Sequence, residues 1–310
     1  MNEGRQTKTG LLETAKTVAS RMRANMRRVR QTISHRKGRA ASYCDPLRPG
    51  QRPQDILAVL ILTVGIAVLA FDIPAYPWIR SLPGEYWVTF NAFTDLGKAH
   101  WILWSSGLIC LFLLALDAEK LIFRLRMTVG VLFTYAGFIF FTVAATGILA
   151  IVFKWSLGRA RPKLYEELGP VYFDFMALDS DFTSFPSGHS TTIGALAAAL
   201  ALIFPSYRWL IVVAAFWIAF SRVMVGAHFP SDVIAGTLLG VSFTYFVARA
   251  LARRRIGFTF TPDGHLVPII SARSAKACAR SVWHVIMGRR GAIRLGCPAG
   301  ATPGQTGLAQ

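Results

Sequence analysis

Long apolar runs separated by short polar stretches dominate the chain between residues 56 and 248. The six runs cover residues 56–71, 101–116, 129–153, 190–204, 208–221 and 233–248. A membrane-spanning helix needs about 20 apolar residues, so flanking residues are expected to complete the shorter runs. The pattern predicts an all-α integral membrane protein whose six spans form a helix bundle.

Two polar tails flank this predicted membrane domain of residues 54–250. Residues 11–33 of the N-terminal segment 1–53 place apolar side chains at spacings of three and four, with basic residues between them. This spacing predicts a basic amphipathic helix on an anionic inner leaflet, although a partly disordered basic tail fits it equally well. In the C-terminal tail, 251–310, a small hairpin is expected at residues 258–267.

Composition and charge fit the same architecture. The chain is 53% hydrophobic and only 16% charged, with a mean hydropathy of +0.43, which is too apolar for a typical soluble domain. The formal charge of +18 does not indicate nucleic acid, because 13 of the 34 Lys and Arg residues lie in residues 1–54 and 10 lie in residues 249–310. Basic tails beside membrane spans are typical of cytoplasmic segments, and six crossings return both tails to that side.

The cysteines and the N-terminus exclude several other classes. The four cysteines, Cys44, Cys110, Cys278 and Cys297, have no paired spacing, so neither a disulfide framework nor a zinc site is expected. The first apolar run begins only at Ile56, which argues against a cleaved signal peptide.

The segment Phe185–Ser190 joins a polar loop to the fourth apolar run. A helix start leaves backbone N–H groups without intrahelical acceptors, and its dipole adds positive potential. We therefore expect the N–H groups of Ser187, Gly188 and His189 to bind an anion, with His189 able to move a proton near neutral pH. An ordinary capped helix has the same features, so this segment alone does not decide.

Basic residues cluster where the third apolar run ends. Lys154 is followed by Arg159, Arg161 and Lys163. Arginine offers a bidentate fork and lysine a point charge, so the cluster predicts a phosphate cradle. Any one of these side chains could instead extend to the lipid headgroups.

A third polar segment, Ser221–Asp232, contains Arg222 and His228. Pro230 suits the first turn of a helix, which places His228 just before that helix and Asp232 within it. A carboxylate holding one imidazole nitrogen leaves the other as a free lone pair, and such a histidine can act as a nucleophile. The pair could instead ligate a metal, but no third or fourth ligand lies near in sequence, so we expect neither metal nor cofactor.

Taken together, the three segments resemble the tripartite signature of the type 2 phosphatidic acid phosphatase superfamily. The matching positions are Lys154, Arg161-Pro162, Pro186-Ser187-Gly188-His189, Ser221-Arg222, His228 and Asp232. The resemblance covers about residues 54–250 and implies six spans with an active site at their periplasmic ends.

The resemblance also implies a role for each residue. Phosphate oxygens would be bound by Lys154, Arg161, Ser187, Gly188 and Arg222. His228 would attack phosphorus to give a phosphohistidine while Asp232 orients it. His189 would protonate the leaving group and then activate water. Fixed cations can stabilise a transferring phosphoryl group in this way without a metal.

The predicted function is a lipid phosphatase of a bacterial inner membrane. The stretch Thr94–Trp101 is similar to the lipid A phosphatases, most of all the 1-phosphatases. Phosphatidylglycerophosphate and undecaprenyl diphosphate phosphatases share the three motifs, as does a phosphotransferase that passes phosphate to a second lipid. From a different class, a catalytically silent lipid transporter or scaffold remains an alternative. The expected partners are a phosphorylated membrane lipid and, at the basic tails, anionic lipids of the inner leaflet.

Overall fold

The computed structural model describes residues 3–37, 49–50, 52–119 and 121–270. The expectations for most of the linker before residue 54 and for the tail beyond residue 270 lie outside the described residues, as do Cys44, Cys278 and Cys297. Cys110 lies within them and is a free thiol.

The described residues form ten α-helices and one β-hairpin. The helices are α1 (Glu3–Lys37), α2 (Pro53–Ala67), α3 (Ile73–Arg80), α4 (Gly84–Thr94), α5 (Ala99–Ala115), α6 (Phe123–Leu157), α7 (Tyr165–Leu168), α8 (Gly188–Ile203), α9 (Arg208–Met224) and α10 (Pro230–Arg253). The strands are β1 (Phe258–Phe260) and β2 (Leu266–Pro268). A π-helical turn at Val68–Asp72 joins α2 to α3, and a 3₁₀ turn at Asp95–Gly97 precedes α5.

The protein is a mostly helical membrane protein, as the apolar pattern predicts. Among the described residues, five segments are long and apolar enough to cross a membrane: Pro53–Arg80, Gly84–Ala115, Leu125–Leu157, Pro205–Met224 and Pro230–Arg253. Flanking residues lengthen the first two runs, as expected. The fourth run forms the shorter helix α8 of 16 residues, which is about 24 Å long at 1.5 Å per residue.

Helix α8 lies inside the bundle, against α6, α9 and α10. Its close approach to α10 requires glycine, because a Cβ at Gly194 would lie 2.5 Å from the Thr237 carbonyl oxygen. A Cβ at Gly236 would lie equally close, 2.5 Å, to the Ser187 carbonyl oxygen. Small residues at such contacts are typical of helix packing in membranes. The packing sets the first turns of α8 and α10 side by side.

The hairpin predicted near residues 258–267 is present, with Thr259 opposite Val267. Gly264 has a φ of +75° in its turn, a backbone conformation that suits glycine. Phe258 is fully buried and packs against the rings of Tyr135 and Phe138 on α6. The same apolar cluster contains residues near the C-terminal ends of α8 and α10. The hairpin therefore covers the end of the bundle opposite to the beginnings of those two helices.

The helix predicted over residues 11–33 is part of α1. The Asn25 amide donates to the carbonyl oxygens of Leu114 at 2.8 Å and Leu116 at 2.9 Å, at the end of α5. Arg28 pairs with Glu119 at 2.6 Å. These contacts attach α1 to the connection between α5 and α6.

Candidate active site

The three motif segments, far apart in sequence, come together where α6 ends and α8 and α10 begin. The backbone N–H of Ser184 donates to the carbonyl oxygen of Arg159 at 3.0 Å. The backbone N–H of Ser187 donates to the carbonyl oxygen of Asp232, also at 3.0 Å. These two bonds tie the second motif to the first and to the third, so the residues grouped by the sequence form one site.

The start of α8 differs in one respect from the predicted anion site. The Ser187 N–H is already bonded to the carbonyl oxygen of Asp232. Ser187 instead caps the helix, because its hydroxyl accepts from the backbone N–H of Ser190 at 3.4 Å. In the part of the chain that the structure describes, no protein acceptor lies opposite the N–H groups of Gly188 and His189. Two of the three predicted N–H donors are therefore available to an anion.

Three basic side chains meet at this point, each held by a neutral oxygen. Lys154 Nζ donates to the carbonyl oxygen of Thr183 at 2.7 Å, and Arg161 Nη2 donates to the hydroxyl of the same threonine at 3.0 Å. Arg222 Nη1 donates to the Thr94 hydroxyl at 2.8 Å. Since none of these partners is a carboxylate, the positive charges are left for a bound anion.

His228 is 3% exposed and lies just before α10. Its Nδ1 is 3.6 Å from Asp232 Oδ2. This distance is too long for a hydrogen bond, so the two side chains are neighbours but do not form the predicted bond. This buried nitrogen has no hydrogen-bond partner among the described residues. Burial lowers the pKa of His228 to about 4, against the opposing effect of the Asp232 carboxylate. The imidazole is therefore neutral at pH 7, as a nucleophile requires.

The Asp232 carboxylate is anchored by several groups other than His228. Its Oδ2 accepts from the Ser184 hydroxyl at 2.6 Å and from the Phe229 N–H at 3.0 Å. Its Oδ1 accepts from Arg159 Nη1 at 2.5 Å. Arg159 bonds in turn to Asp72 Oδ2 at 2.7 Å.

Arg159 was predicted as part of the phosphate cradle, but the structure places it on the carboxylates of Asp232 and Asp72, and Asp72 was not predicted as a site residue. The motif assigns Arg161-Pro162 to phosphate binding, but nothing in the sequence shows that Arg159 pairs with carboxylates instead. Asp72 did carry a signal, since an ionisable side chain at the end of an apolar run marks a functional site by default.

The 3₁₀ turn between α4 and α5 forms one wall of the site. Thr94, just before it, is the partner of Arg222. Gly97 faces His189 so closely that a Cβ there would lie 3.1 Å from His189 Cδ2. Lys98 pairs with Asp95 at 2.7 Å, and both side chains are exposed to a large extent. The stretch Thr94–Trp101, singled out in the sequence for its similarity to lipid A phosphatases, therefore borders the motif residues.

The described residues contain no group of three or more His, Cys, Asp or Glu side chains that could hold a metal ion. His228 and Asp232 thus have no further ligand candidate in that part of the chain.

Comparison with known proteins gives a match to the family model described as the PAP2 superfamily over residues 135–256. Two similar curated proteins are both named lipid A 1-phosphatase. The protein from Rhizobium johnstonii is 38% identical over 218 residues, which cover 70% of this chain and 88% of that protein. The protein from Rhizobium etli is 38% identical over 70% of this chain and 92% of its own length. An undecaprenyl-diphosphatase from Sulfolobus acidocaldarius is 34% identical over 40% of this chain and 55% of its own.

Proposed function

The chain belongs to the PAP2 superfamily, and we propose that it is a membrane lipid phosphatase that removes the 1-phosphate of lipid A. The main support for this substrate is the 38% sequence identity of the chain to two proteins named lipid A 1-phosphatase, of which the match covers 88% and 92%. The undecaprenyl-diphosphatase matches over little more than half of its length, 55%, and so supports the shared chemistry more than the substrate.

The site is proposed to face the periplasm. Both basic tails would be cytoplasmic by the positive-inside rule, which requires that α8 crosses as a sixth, short span within residues 54–250. The contacts of α1 with the α5–α6 connection support a common side for the N-terminal segment and that connection. The basic residues of α1 would then lie near anionic lipids of the inner leaflet, and the tail after residue 250 would lie on the same side.

In this proposal the phosphate is bound by cations and by the start of α8. Lys154, Arg161 and Arg222 contact its oxygens, together with the N–H groups of Gly188 and His189. Ser187 has a different role from the predicted one, because its N–H donates to the carbonyl oxygen of Asp232 and not to the phosphate. Ser187 supports the phosphate site by capping α8.

The reaction proceeds in two steps on His228. Its unprotonated Nε2 attacks phosphorus, a P–N bond forms and the P–O bond to the lipid breaks, while protonated His189 gives its proton to the leaving oxygen. Water then attacks phosphorus, His189 takes a proton from it, and the P–N bond breaks to release inorganic phosphate. The phosphorylated imidazole is positively charged, so its Nδ1–H is expected to close the 3.6 Å gap to Asp232, as catalytic hydrogen bonds often tighten during the reaction.

The decisive experiment compares the lipids of cells with and without the protein by mass spectrometry. Loss of one phosphate from lipid A, at the 1-position, is the expected result. Loss of phosphate from phosphatidylglycerophosphate or undecaprenyl diphosphate would instead identify that lipid as the substrate. Phosphate appearing on a second lipid would indicate a phosphotransferase. No change in any lipid phosphate would favour a silent transporter or scaffold.

Two further measurements test the mechanism and the topology. Activity should survive EDTA and be inhibited by vanadate, which can bind His228 in the geometry of the transition state. Loss of activity with EDTA, restored by one divalent ion, would contradict the metal-free mechanism.

Reporter fusions after residue 170 should be periplasmic, and fusions after residues 125 and 255 cytoplasmic. A cytoplasmic readout at residue 170 would overturn the proposed orientation.

A further inference from the structure

Asp232 belongs to a buried ion cluster whose other two members, Arg159 and Asp72, have no part in the two reaction steps above. Arg159 lies between Asp72 and Asp232, and the exposed fractions of the three side chains are 1%, 0% and 0%. All five N–H donors of the Arg159 guanidinium have acceptors. They are the Pro170 carbonyl oxygen for Nε and Nη2, Asp72 Oδ2 for Nη2, and Asp232 Oδ1 and the Ser231 hydroxyl for Nη1.

The charges of this cluster do not balance, since one guanidinium faces two carboxylates. Burying a charge is costly unless it is paired and hydrogen-bonded, and a single carboxylate would suffice to pair Arg159. The second carboxylate, Asp72, accepts from the Ser231 N–H at 3.0 Å and the Ser231 hydroxyl at 2.5 Å. Asp72 is therefore well bound, but it leaves the cluster with one negative charge in excess.

That excess charge faces the nucleophile. His228 Nδ1 is a buried side-chain atom without a hydrogen-bond partner among the described residues, and it lies 3.6 Å from Asp232 Oδ2. When His228 becomes phosphorylated, its imidazole gains a positive charge in a buried place. An Asp232 fully neutralised by Arg159 would stabilise that charge poorly.

We propose that Asp72 and Arg159 are positioning residues for the phosphohistidine step. Asp72 takes a share of the Arg159 charge, so that Asp232 keeps the negative charge that the His228 imidazolium needs. Arg159 in turn fixes the Asp232 carboxylate so that its other oxygen points to Nδ1. The inference rests on the proposed function, because it requires a phosphohistidine on His228.

A purely structural role for Asp72 makes a different prediction. If Asp72 only balanced the charge of Arg159 and anchored the start of α10, its loss would lower the thermal stability and leave the chemical step of the folded protein unchanged. The two roles are therefore separated by the rate of phosphorylation of His228, measured on folded protein.

The test compares Asp72→Asn with wild type in single-turnover labelling by a ³²P-labelled lipid substrate. Asp72→Asn keeps the shape of the side chain and removes its charge. We expect labelling of His228 to be about 10-fold slower, which is the size of effect found when a residue that orients a metal-ligating side chain by a hydrogen bond is removed. The KM should be unchanged, because Asp72 does not touch the substrate, and inhibition by vanadate should weaken by the same factor.

Asp181→Asn is the matched control. Asp181 lies at the same end of the bundle and is paired with Lys163 at 2.5 Å, but its side chain is 33% exposed and lies outside the cluster. Its labelling rate should equal that of wild type. Labelling of folded Asp72→Asn at the wild-type rate would overturn the inference. If Asp72→Asn does not fold, Arg159→Lys is measured instead. It keeps the positive charge but loses the fork that holds Asp232 Oδ1, so His228 should again be labelled about 10-fold more slowly, and labelling at the wild-type rate would overturn the inference. A wild-type protein that is never labelled would instead refute the proposed function.

Discussion

Both ends of the bundle contain arginine–carboxylate pairs with similar distances, but in opposite surroundings. At the site, Arg159 is paired with Asp72 at 2.7 Å and both side chains are buried. At the other end, Arg28 is paired with Glu119 at 2.6 Å, with side chains 40% and 75% exposed. Because water and salt screen its charges, an exposed pair contributes only about 0–1 kcal/mol to stability, whereas removing one partner of a buried pair costs about 3–5 kcal/mol. We therefore expect burial, and not distance, to make the loss of the Arg159–Asp72 pair costly and the loss of the Arg28–Glu119 pair nearly neutral.

The same contrast holds for the histidines and glycines of the two ends. Replacing a group at the motif end should change the chemistry, and replacing its counterpart at the opposite end should change little. Each pair of variants below can break this comparison.

The largest effect is expected for His228→Ala. The variant lacks the proposed nucleophile, so turnover and acid-labile phosphate labelling should both fall to background. His265→Ala is the matched control, because His265 is exposed in the hairpin at the opposite end, and it should keep wild-type activity. A labelled His228→Ala protein would place the nucleophile elsewhere.

His189→Ala should have the next largest effect. General acid–base catalysis contributes about 10²- to 10⁴-fold, and the variant should still bind substrate. With a glycosidic phosphate, which is a good leaving group, phosphohistidine should accumulate because water is no longer activated. Short-time quenched labelling measures this, and absence of label in His189→Ala combined with label in His228→Ala would exchange the two roles.

A smaller effect is expected for Gly97→Ala. The new methyl group would lie 3.1 Å from His189 Cδ2, so His189 must shift, and misplacement of a catalytic group lowers kcat. We expect a loss of about 10-fold, from the general sensitivity of catalysis to geometry. Gly130→Ala is the control, because nothing lies within 4 Å of a Cβ at Gly130. Equal kcat for the two variants would show that the turn does not set the position of His189.

The sequence predicts the residues that these three variants replace or adjoin better than it predicts their partners. The apolar runs predicted the five segments of the described residues that are long enough to span a membrane. The motif spacing predicted the grouping of Lys154, Arg161, His189, Arg222 and His228, because these signals are local. The partners of the motif residues were not predictable, since they come from distant helices. Thr94 is 128 residues from Arg222, and Asp72 is 87 residues from Arg159. The use of the Ser187 N–H by Asp232 likewise depends on how closely α8 and α10 pack.

The pH dependence should reveal the buried state of His228. Its pKa in the folded protein is about 4, below the value of about 6.5 for an unperturbed histidine. The unfolded chain therefore binds more protons between these values, and the protein should lose stability as the pH falls from about 6.5 to about 4. Thermal midpoints at pH 7 and pH 5 should differ less for His228→Ala than for wild type. Equal differences in the two proteins would contradict a neutral, buried His228.

The smallest effect is expected where the comparison began, at the exposed pair of α1. Arg28→Ala removes the contact with Glu119 but leaves the Asn25 amide bonded to the carbonyl oxygens of Leu114 and Leu116. The free energy of unfolding should fall by no more than about 1 kcal/mol, the upper value for exposed pairs, and less in high salt because ions screen the pair. Activity in detergent should equal that of wild type. The measurements are denaturant unfolding at low and high salt and the rate of lipid dephosphorylation. A salt-independent loss of several kcal/mol would mean that α1 is an integral part of the bundle, and the contrast between the two ends would then no longer hold.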